Sequence, residues 1–163
     1  MSITRPVVVM GVSGSGKTTA GEALAAALGV PFEDGDALHP AANVAKMAAG
    51  IPLDDADRAP WLDAIGAVLA AGPVVVACSA LKRAYRDRLR VAAPDLELVY
   101  LEVDRVTLLD RMTHRTHFMP PSLLDSQLAT LEAPTAEERA LVVNGALPLV
   151  ELVETLEERI LHA

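Results

Sequence analysis

The sequence predicts an α/β fold in which a parallel five-stranded sheet is flanked by helices. Short β-branched runs alternate with longer Ala- and Leu-rich stretches, and glycine or proline stands at many of the boundaries. The chain has 163 residues, 52% of them hydrophobic, which is enough to build one core. Each crossover between parallel strands needs a helix, so the alternation implies three layers. We therefore expect a single domain over residues 1–163.

The strands are predicted from runs rich in valine, leucine and aromatic residues. The first run is closed by Gly11, the second ends in Asp34-Gly35-Asp36, and the third begins after Gly72 and Pro73. The fourth run is the longest, and the fifth lies near the end of the chain. The predicted strands cover residues 6–10, 30–33, 74–77, 96–103 and 141–143.

The helices are predicted from the stretches between these strands. The first follows a glycine-rich loop and stops at Gly29, and Asp54 or Asp55 can cap the third. Asp104 is suited to cap the fifth. The predicted helices cover residues 18–28, 40–50, 57–71 and 80–91, a segment from about 106, and residues 122–131 and 148–161.

Composition excludes several classes of protein. The net charge of −8 and pI near 4.9 disfavour nucleic acid as a partner. Residues 64–81 carry no charge, but Ala71-Gly72-Pro73 divides them into a helix and a strand, so we expect no membrane span. Cys78 is the only cysteine, and the apolar run at residues 7–10 is too short for a signal peptide. We expect a reducing, cytoplasmic location.

The loop after the first strand carries the most informative motif. Gly11-Val12-Ser13-Gly14-Ser15-Gly16-Lys17-Thr18 matches G-x-x-x-x-G-K-[ST] at every fixed position. Glycines allow backbone N–H groups to surround phosphate oxygens, Lys17 reaches the β- and γ-phosphates, and the Thr18 hydroxyl can bind Mg²⁺. Because the loop joins a strand to a helix, the motif predicts a three-layer P-loop NTPase fold that binds ATP with Mg²⁺.

Asp34-Gly35-Asp36 follows the second predicted strand. The ligand crevice of an open α/β sheet lies at the carboxyl ends of its strands, so both carboxylates are expected near the phosphate loop. One carboxylate can hold Mg²⁺ through water, and the other can accept a proton from an attacking hydroxyl. An isolated Asp-Gly-Asp would more often be an Asx turn. We predict Asp34 as the metal residue and Asp36 as the proton acceptor.

Further motifs closely resemble the gluconokinase family, from residue 7 to about residue 153. The resemblance implies transfer of phosphate from ATP to D-gluconate, a nucleoside-monophosphate-kinase-like fold and a homodimer. The segments that carry it include Asp34-Gly35-Asp36, His39-Pro40, Asn43, Lys46-Met47, Pro52-Leu53-Asp54-Asp55, Asp57-Arg58, Pro60-Trp61-Leu62, Cys78-Ser79-Ala80-Leu81-Lys82, Tyr85-Arg86-Asp87, His117-Phe118-Met119-Pro120 and Ser126-Gln127.

Basic side chains and histidines inside these segments are candidate substrate-binding residues. Arg58 and Lys82 are expected at helix starts near the crevice, where either could bind the gluconate carboxylate; both could equally be solvated surface residues. His39 and His117 could bind substrate hydroxyls or serve turn and packing roles. Trp61 either packs the core or borders the crevice.

Arg111 and Arg115 are four residues apart, which places them on one helix face. They resemble arginines that close over a transferring phosphate, with residues 112–121 as a small lid. An exposed, solvated face is the alternative.

Two other functions stay open. The chain could phosphorylate another small hydroxy acid such as shikimate, although that family would show three glycines where this chain has Cys78-Ser79-Ala80. It could also be a regulatory module that binds nucleotide without transferring phosphate.

Overall fold

One parallel sheet forms the centre of the computed structural model, which describes residues 3–114 and 121–162. The predicted five strands and their parallel pairing are confirmed, with the second strand at one edge and the fifth at the other. The sheet order is β2-β3-β1-β4-β5, where the strands are β1 (Val7–Met10), β2 (Phe32–Asp34), β3 (Val75–Ala77), β4 (Glu97–Glu102) and β5 (Leu141–Asn144).

Seven α-helices connect or follow these strands in the described part of the chain. Two short 3₁₀ turns, Gly35–Leu38 and Ala136–Glu138, add to them. The helices are α1 (Lys17–Leu28), α2 (Ala41–Ala48), α3 (Asp55–Ala70), α4 (Arg83–Ala92), α5 (Arg105–Thr113), α6 (Pro121–Thr130) and α7 (Leu149–Leu161).

The alternation of side chains along β1 divides the core into two layers. Val7 and Val9 pack with α1 and α7, whereas Val8 and Met10 pack with α3 and α4. All four side chains are fully buried. Because both faces of the strand are covered, its sequence is continuously apolar rather than alternating.

A third apolar cluster lies above the sheet, between the phosphate loop and helices α5 and α6. Its buried members are Val12, Leu81, Leu108, Met112 and Leu124. Met112, the first residue of the predicted lid, is therefore packed into the body of the fold. The rest of that prediction depends on residues 115–120, which lie outside the described residues.

The start of α4 corrects the sequence prediction. A helix was expected from residue 80, but Ala80 has a positive φ of 44° and Lys82 is extended, so α4 begins at Arg83. The turn lifts Ser79 and Leu81 toward the carboxyl edge of the sheet before the helix starts. Elsewhere, Asp54 caps α3 and Asp104 caps α5, as their positions predicted.

Residues 64–81 contain the end of α3 and all of β3, as the break at Gly72 and Pro73 predicted. Across residues 3–114 and 121–162, no helix has both the length and the apolar character that a membrane crossing needs.

A buried ion pair joins α4 to the segment before β5. The Arg86 guanidinium donates to both Glu138 carboxylate oxygens, at 2.6 and 3.2 Å, and both side chains are 2% exposed. Arg86 also donates to the carbonyls of Ala80 and Glu132. Burial alone would raise the pKa of Glu138, but hydrogen bonds from Arg86 and Thr135 bring it below its usual value. The pair holds the left-handed turn at Ala80 against the chain that follows α6.

We expect Arg86→Met to destabilise the fold strongly, because Glu138 would remain buried without its cation. Breaking a buried pair from one side costs about 3–5 kcal/mol, measurable as a loss of unfolding free energy in urea. Arg88→Met is the matched control on the same helix, since Arg88 pairs with Asp63 on the exposed surface. Equal losses in the two variants would contradict the structural role assigned to Arg86.

Candidate active site

A cavity of about 640 Å³ opens at the carboxyl ends of the central strands. This is where an open α/β sheet is expected to bind its ligand, because the strand order reverses beside β1. Six chain segments contribute polar or aromatic side chains to its wall. Those side chains belong to Ser13, Lys17, Asp36, His39, Arg58, Trp61, Ser79, Tyr85, Ser126, Gln127 and Thr130.

The phosphate loop occupies the turn between β1 and α1. Gly14 and Gly16 have φ values of 86° and 87°, which favour glycine strongly over residues with a Cβ. Gly16 is the N-cap of α1, so the first helical residues, Lys17 and Thr18, stand at the positive end of the helix dipole. The local geometry is that of an anion-binding helix terminus, as the motif predicted.

Gln127 of α6 is hydrogen-bonded to this loop. Its side-chain oxygen accepts from the Ser13 backbone N–H at 2.7 Å, and its amide nitrogen donates to the Ser13 hydroxyl at 3.0 Å. In this structure the Ser13 N–H thus faces α6. Contact between Ser13 and phosphate stays a prediction. For its N–H to bind a phosphate oxygen, it would have to give up its hydrogen bond to Gln127.

The predicted carboxylates lie where β2 ends. Asp34 pairs in register with Ala77 of β3, and Ala77 pairs with Val9 of β1, so the three strand ends are level. The Asp34 side chain accepts from the Asp36 backbone N–H at 3.0 Å, which is the Asx turn considered as the alternative. Asp36 also lines the cavity. The Asx turn and a position at the candidate site, which the sequence offered as alternatives, are therefore both present.

Cys78 lies beneath this group of charges. Burial raises the pKa of its thiol to about 12, with a further upward contribution from Asp36 and Asp34 and an opposing one from Lys17. Lys17, Asp34 and Asp36 are therefore all close enough to the end of β3 to act on this thiol. A thiol with this pKa is protonated at neutral pH, so Cys78 is a packing residue.

Arg58 and Lys82 are placed differently relative to the cavity. Arg58 lines it and donates to the Tyr85 hydroxyl at 3.1 Å, with its guanidinium 5.4 Å from the ring centre. Lys82 is not among the described residues that line the cavity; its ammonium lies 3.6 Å from Asp55. The Tyr85 hydroxyl donates to Asp55 at 2.6 Å and, with Lys82, lowers the pKa of that carboxyl. The geometry favours Arg58 as the anion-binding residue.

Trp61 combines the two roles that its sequence left open. It is 2% exposed and packs into the core, yet its ring also borders the cavity. The indole N–H donates to the Gly35 carbonyl at 2.8 Å, and the His39 ring stacks on it at 4.3 Å between centroids. Trp61 therefore anchors both the 3₁₀ turn that carries Asp36 and the histidine that follows.

Arg111 contacts the phosphate loop from α5. Its guanidinium donates to the carbonyls of Gly14 and Gly145, at 2.9 and 2.7 Å, and so links the loop to the turn after β5. A role over the transferring phosphate stays a prediction. Arg115 and His117, the other predicted residues of this region, lie outside the described residues.

Several polar or aromatic cavity residues had no functional role in the sequence predictions: Ser79, Tyr85, Ser126, Gln127 and Thr130. All except Thr130 lie inside segments that resemble the gluconokinase family, and that was the signal available. Their contribution to one cavity depends on the turn at Ala80 and on the packing of α6, which local patterns do not report.

Comparison with known proteins is consistent with this architecture. A family model described as shikimate kinase matches residues 13–157. The chain is 52% identical over 147 residues to a gluconokinase of Gluconobacter oxydans, covering 86% of this chain and 83% of the relative. It is 48% identical over 141 residues to the thermosensitive gluconokinase of Escherichia coli, covering 83% and 75%.

Solved structures of similar proteins have the same fold. A gluconokinase from Sinorhizobium meliloti superposes with a TM-score of 0.88 at 52% identity, covering 99% of this chain and 98% of the other. A shikimate kinase from Bacteroides thetaiotaomicron, 20% identical with a TM-score of 0.72 over 97% and 99% of the two chains, shares the fold. The predicted three-layer P-loop fold and family resemblance are both confirmed, and the chain belongs to the gluconokinase family.

Proposed function

We propose that this protein transfers the γ-phosphoryl group of ATP to the 6-hydroxyl of D-gluconate. The observation that carries the proposal is a single cavity bordered by a phosphate-binding loop, the carboxylate of Asp36 and the guanidinium of Arg58. A sugar acid needs a cation for its carboxylate and a proton acceptor for its attacking hydroxyl, and these side chains supply both. Relatives at 48–52% identity named gluconokinase support the choice of substrate.

Different residues of the chain bind ATP, accept the proton and bind the substrate carboxylate. The loop from Gly11 to Thr18 binds the ATP phosphates, and Lys17 stabilises charge on the β- and γ-phosphates as it develops. Asp36 accepts the proton of the attacking hydroxyl, held in place by its backbone bond to Asp34. Arg58, oriented by Tyr85, binds the gluconate carboxylate from the cavity wall.

Residues present at the carboxyl edge fit Mg²⁺. Thr18 and Asp34 offer hydroxyl and carboxylate oxygens, the hard ligands this ion prefers, and phosphate oxygens and water would complete its shell. Bound there, Mg²⁺ would neutralise charge on the ATP phosphates. In the described part of the chain no three His, Cys, Asp or Glu side chains cluster as a metal site.

Several finer predictions belong to the same proposal. Arg111 and Arg115 would act on the transferring phosphate, His117 would contact substrate, and residues 112–121 would form a lid. Lys82 would bind the substrate carboxylate, although in this structure its ammonium lies 3.6 Å from Asp55 instead of lining the cavity. A homodimer and a cytoplasmic location also remain predictions.

An ADP-release assay with Mg·ATP tests the substrate. We expect rapid release with D-gluconate and much slower release with shikimate, glucose or nucleoside monophosphates, because the relatives at 48–52% identity are named gluconokinase and Cys78-Ser79-Ala80 stands where a shikimate kinase would show three glycines. The phosphorylated product should be 6-phosphogluconate by mass and by enzymatic assay. Equal rates with shikimate would contradict the proposal, and nucleotide binding without ADP release under any substrate would favour a regulatory module instead.

A further inference from the structure

The orientation of the His39 ring is determined by two buried neighbours. The ring is nearly parallel to the Trp61 indole, at an interplanar angle of 11°. The indole itself is fixed by its bond to the Gly35 carbonyl. His39 therefore presents one edge to the protein and borders the cavity in a set plane.

Asn43 contacts the protein-side edge of this ring. It lies on α2, four residues after His39, and only 3% of its surface is exposed. One atom of its side-chain amide makes two contacts, to the Asp57 carbonyl oxygen at 2.8 Å and to His39 Nδ1 at 3.2 Å.

The Asp57 contact settles which group of the amide faces the ring. A backbone carbonyl can only accept a hydrogen bond, so the Asn43 atom beside it must be the NH₂ group. The same NH₂ faces His39 Nδ1, which must therefore be the acceptor. A neutral imidazole with an accepting Nδ1 carries its proton on Nε2. This tautomer is inferred from the hydrogen bond to the Asp57 carbonyl, so it does not depend on how the oxygen and nitrogen of the Asn43 amide were assigned.

Burial acts in the same direction, because it lowers the pKa of His39 and so favours the neutral ring. Asp36 opposes this effect, and Arg58 adds a smaller lowering contribution. Protonation would also place a hydrogen on Nδ1 against the Asn43 NH₂ group. Among the described residues none accepts a hydrogen bond from Nε2, so this N–H is available to a ligand in the cavity.

We propose that Asn43 is a positioning residue that holds His39 as a neutral Nε2–H donor to an oxygen of the sugar-acid substrate. The inference rests on the proposed function for the identity of that substrate. A substrate hydroxyl can donate one hydrogen bond and can also accept hydrogen bonds. Asp36 supplies an acceptor and His39 a donor from the same cavity wall, and this pair discriminates polyol orientations that a lone carboxylate would not.

The tautomer can be measured without substrate. In ¹⁵N-labelled protein, long-range ¹H–¹⁵N correlation should show the Nε2–H pattern for His39 at neutral pH, assigned by the signals that disappear in His39→Gln. An Nδ1–H or doubly protonated ring would overturn the proposal, whether or not any variant of Asn43 folds. This readout also stands apart from the proposed function, since failure to phosphorylate gluconate would leave the spectrum unchanged.

A double-mutant cycle tests the consequence for substrate binding. Asn43→Asp replaces the donor by an acceptor, so we expect the proton to move to Nδ1 and KM for gluconate to rise about tenfold, the value of one lost hydrogen bond. KM for ATP should change little.

In the His39→Gln background, the glutamine amide can donate from a similar position and has no tautomer to lose. Asn43→Asp should therefore raise KM for gluconate much less there. An equal effect in both backgrounds would show that Asn43 supports the fold only, and would overturn its positioning role.

Discussion

Lys17→Ala is expected to abolish phosphoryl transfer while leaving the protein folded. Lys17 is the first residue of α1, at the edge of the cavity, and its ammonium is the charge that the motif directs to the β- and γ-phosphates. Catalysis of phosphoryl transfer depends almost entirely on such positioning and charge stabilisation. Turnover in an ADP-release assay should fall well below about a tenth of wild type.

Arg88→Met serves as the control for Lys17→Ala, because it removes a cation from the exposed surface of α4 instead. It should retain wild-type turnover. Circular dichroism and thermal unfolding should show both variants folded. If Lys17→Ala keeps more than about a tenth of the activity, the role assigned to the loop lysine is wrong.

Asp36→Asn is expected to lower kcat by on the order of a hundredfold to ten-thousandfold, the usual cost of losing a general base. An amide has nearly the shape of the carboxylate but cannot take the hydroxyl proton. The affinity for ATP should be nearly unchanged, because Asp36 lies outside the phosphate-binding loop and the role proposed for it is toward the substrate hydroxyl. Steady-state kinetics against gluconate and ATP separate the two effects.

Asp34→Asn is the matched companion of Asp36→Asn. The asparagine oxygen can still accept from the Asp36 N–H, so the turn is retained and only the charge is lost. We expect a raised Mg²⁺ requirement with kcat recovering at high Mg²⁺, because an amide is a weaker ligand for a hard cation. Rescue of Asp36→Asn by Mg²⁺, with no rescue of Asp34→Asn, would reverse the two roles.

The fold was largely predictable because its signals are local. Buried parallel strands read as continuous apolar runs, as in β1, and the end of α1 was marked by a glycine that broke the helical pattern. The exception was the start of α4, where Ala80 adopts a left-handed conformation that its sequence does not favour. That turn is held by Arg86, whose carboxylate partner lies 52 residues further along the chain.

The candidate site was also predictable where its signals are local, and not where they depend on packing. Residues of the phosphate loop and of Asp34-Gly35-Asp36 were identified because each motif is contiguous and follows a strand whose end must lie at the ligand edge. Arg58 and Lys82 were equivalent by sequence, and the structure separates them, with Arg58 in the cavity and Lys82 beside Asp55.

By itself, the sequence determined the order of strands and helices and the phosphate loop, since spacing along the chain encodes both, and its motifs carried the resemblance to the family. Only the tertiary structure decided which side chains meet. Gln127 reaches Ser13 across 114 residues, and Asn43 reaches the Asp57 carbonyl from another helix. Hydrogen bonds and ion pairs depend on distances of a few ångströms between elements, and helix packing, rather than any local pattern of residues, sets those distances.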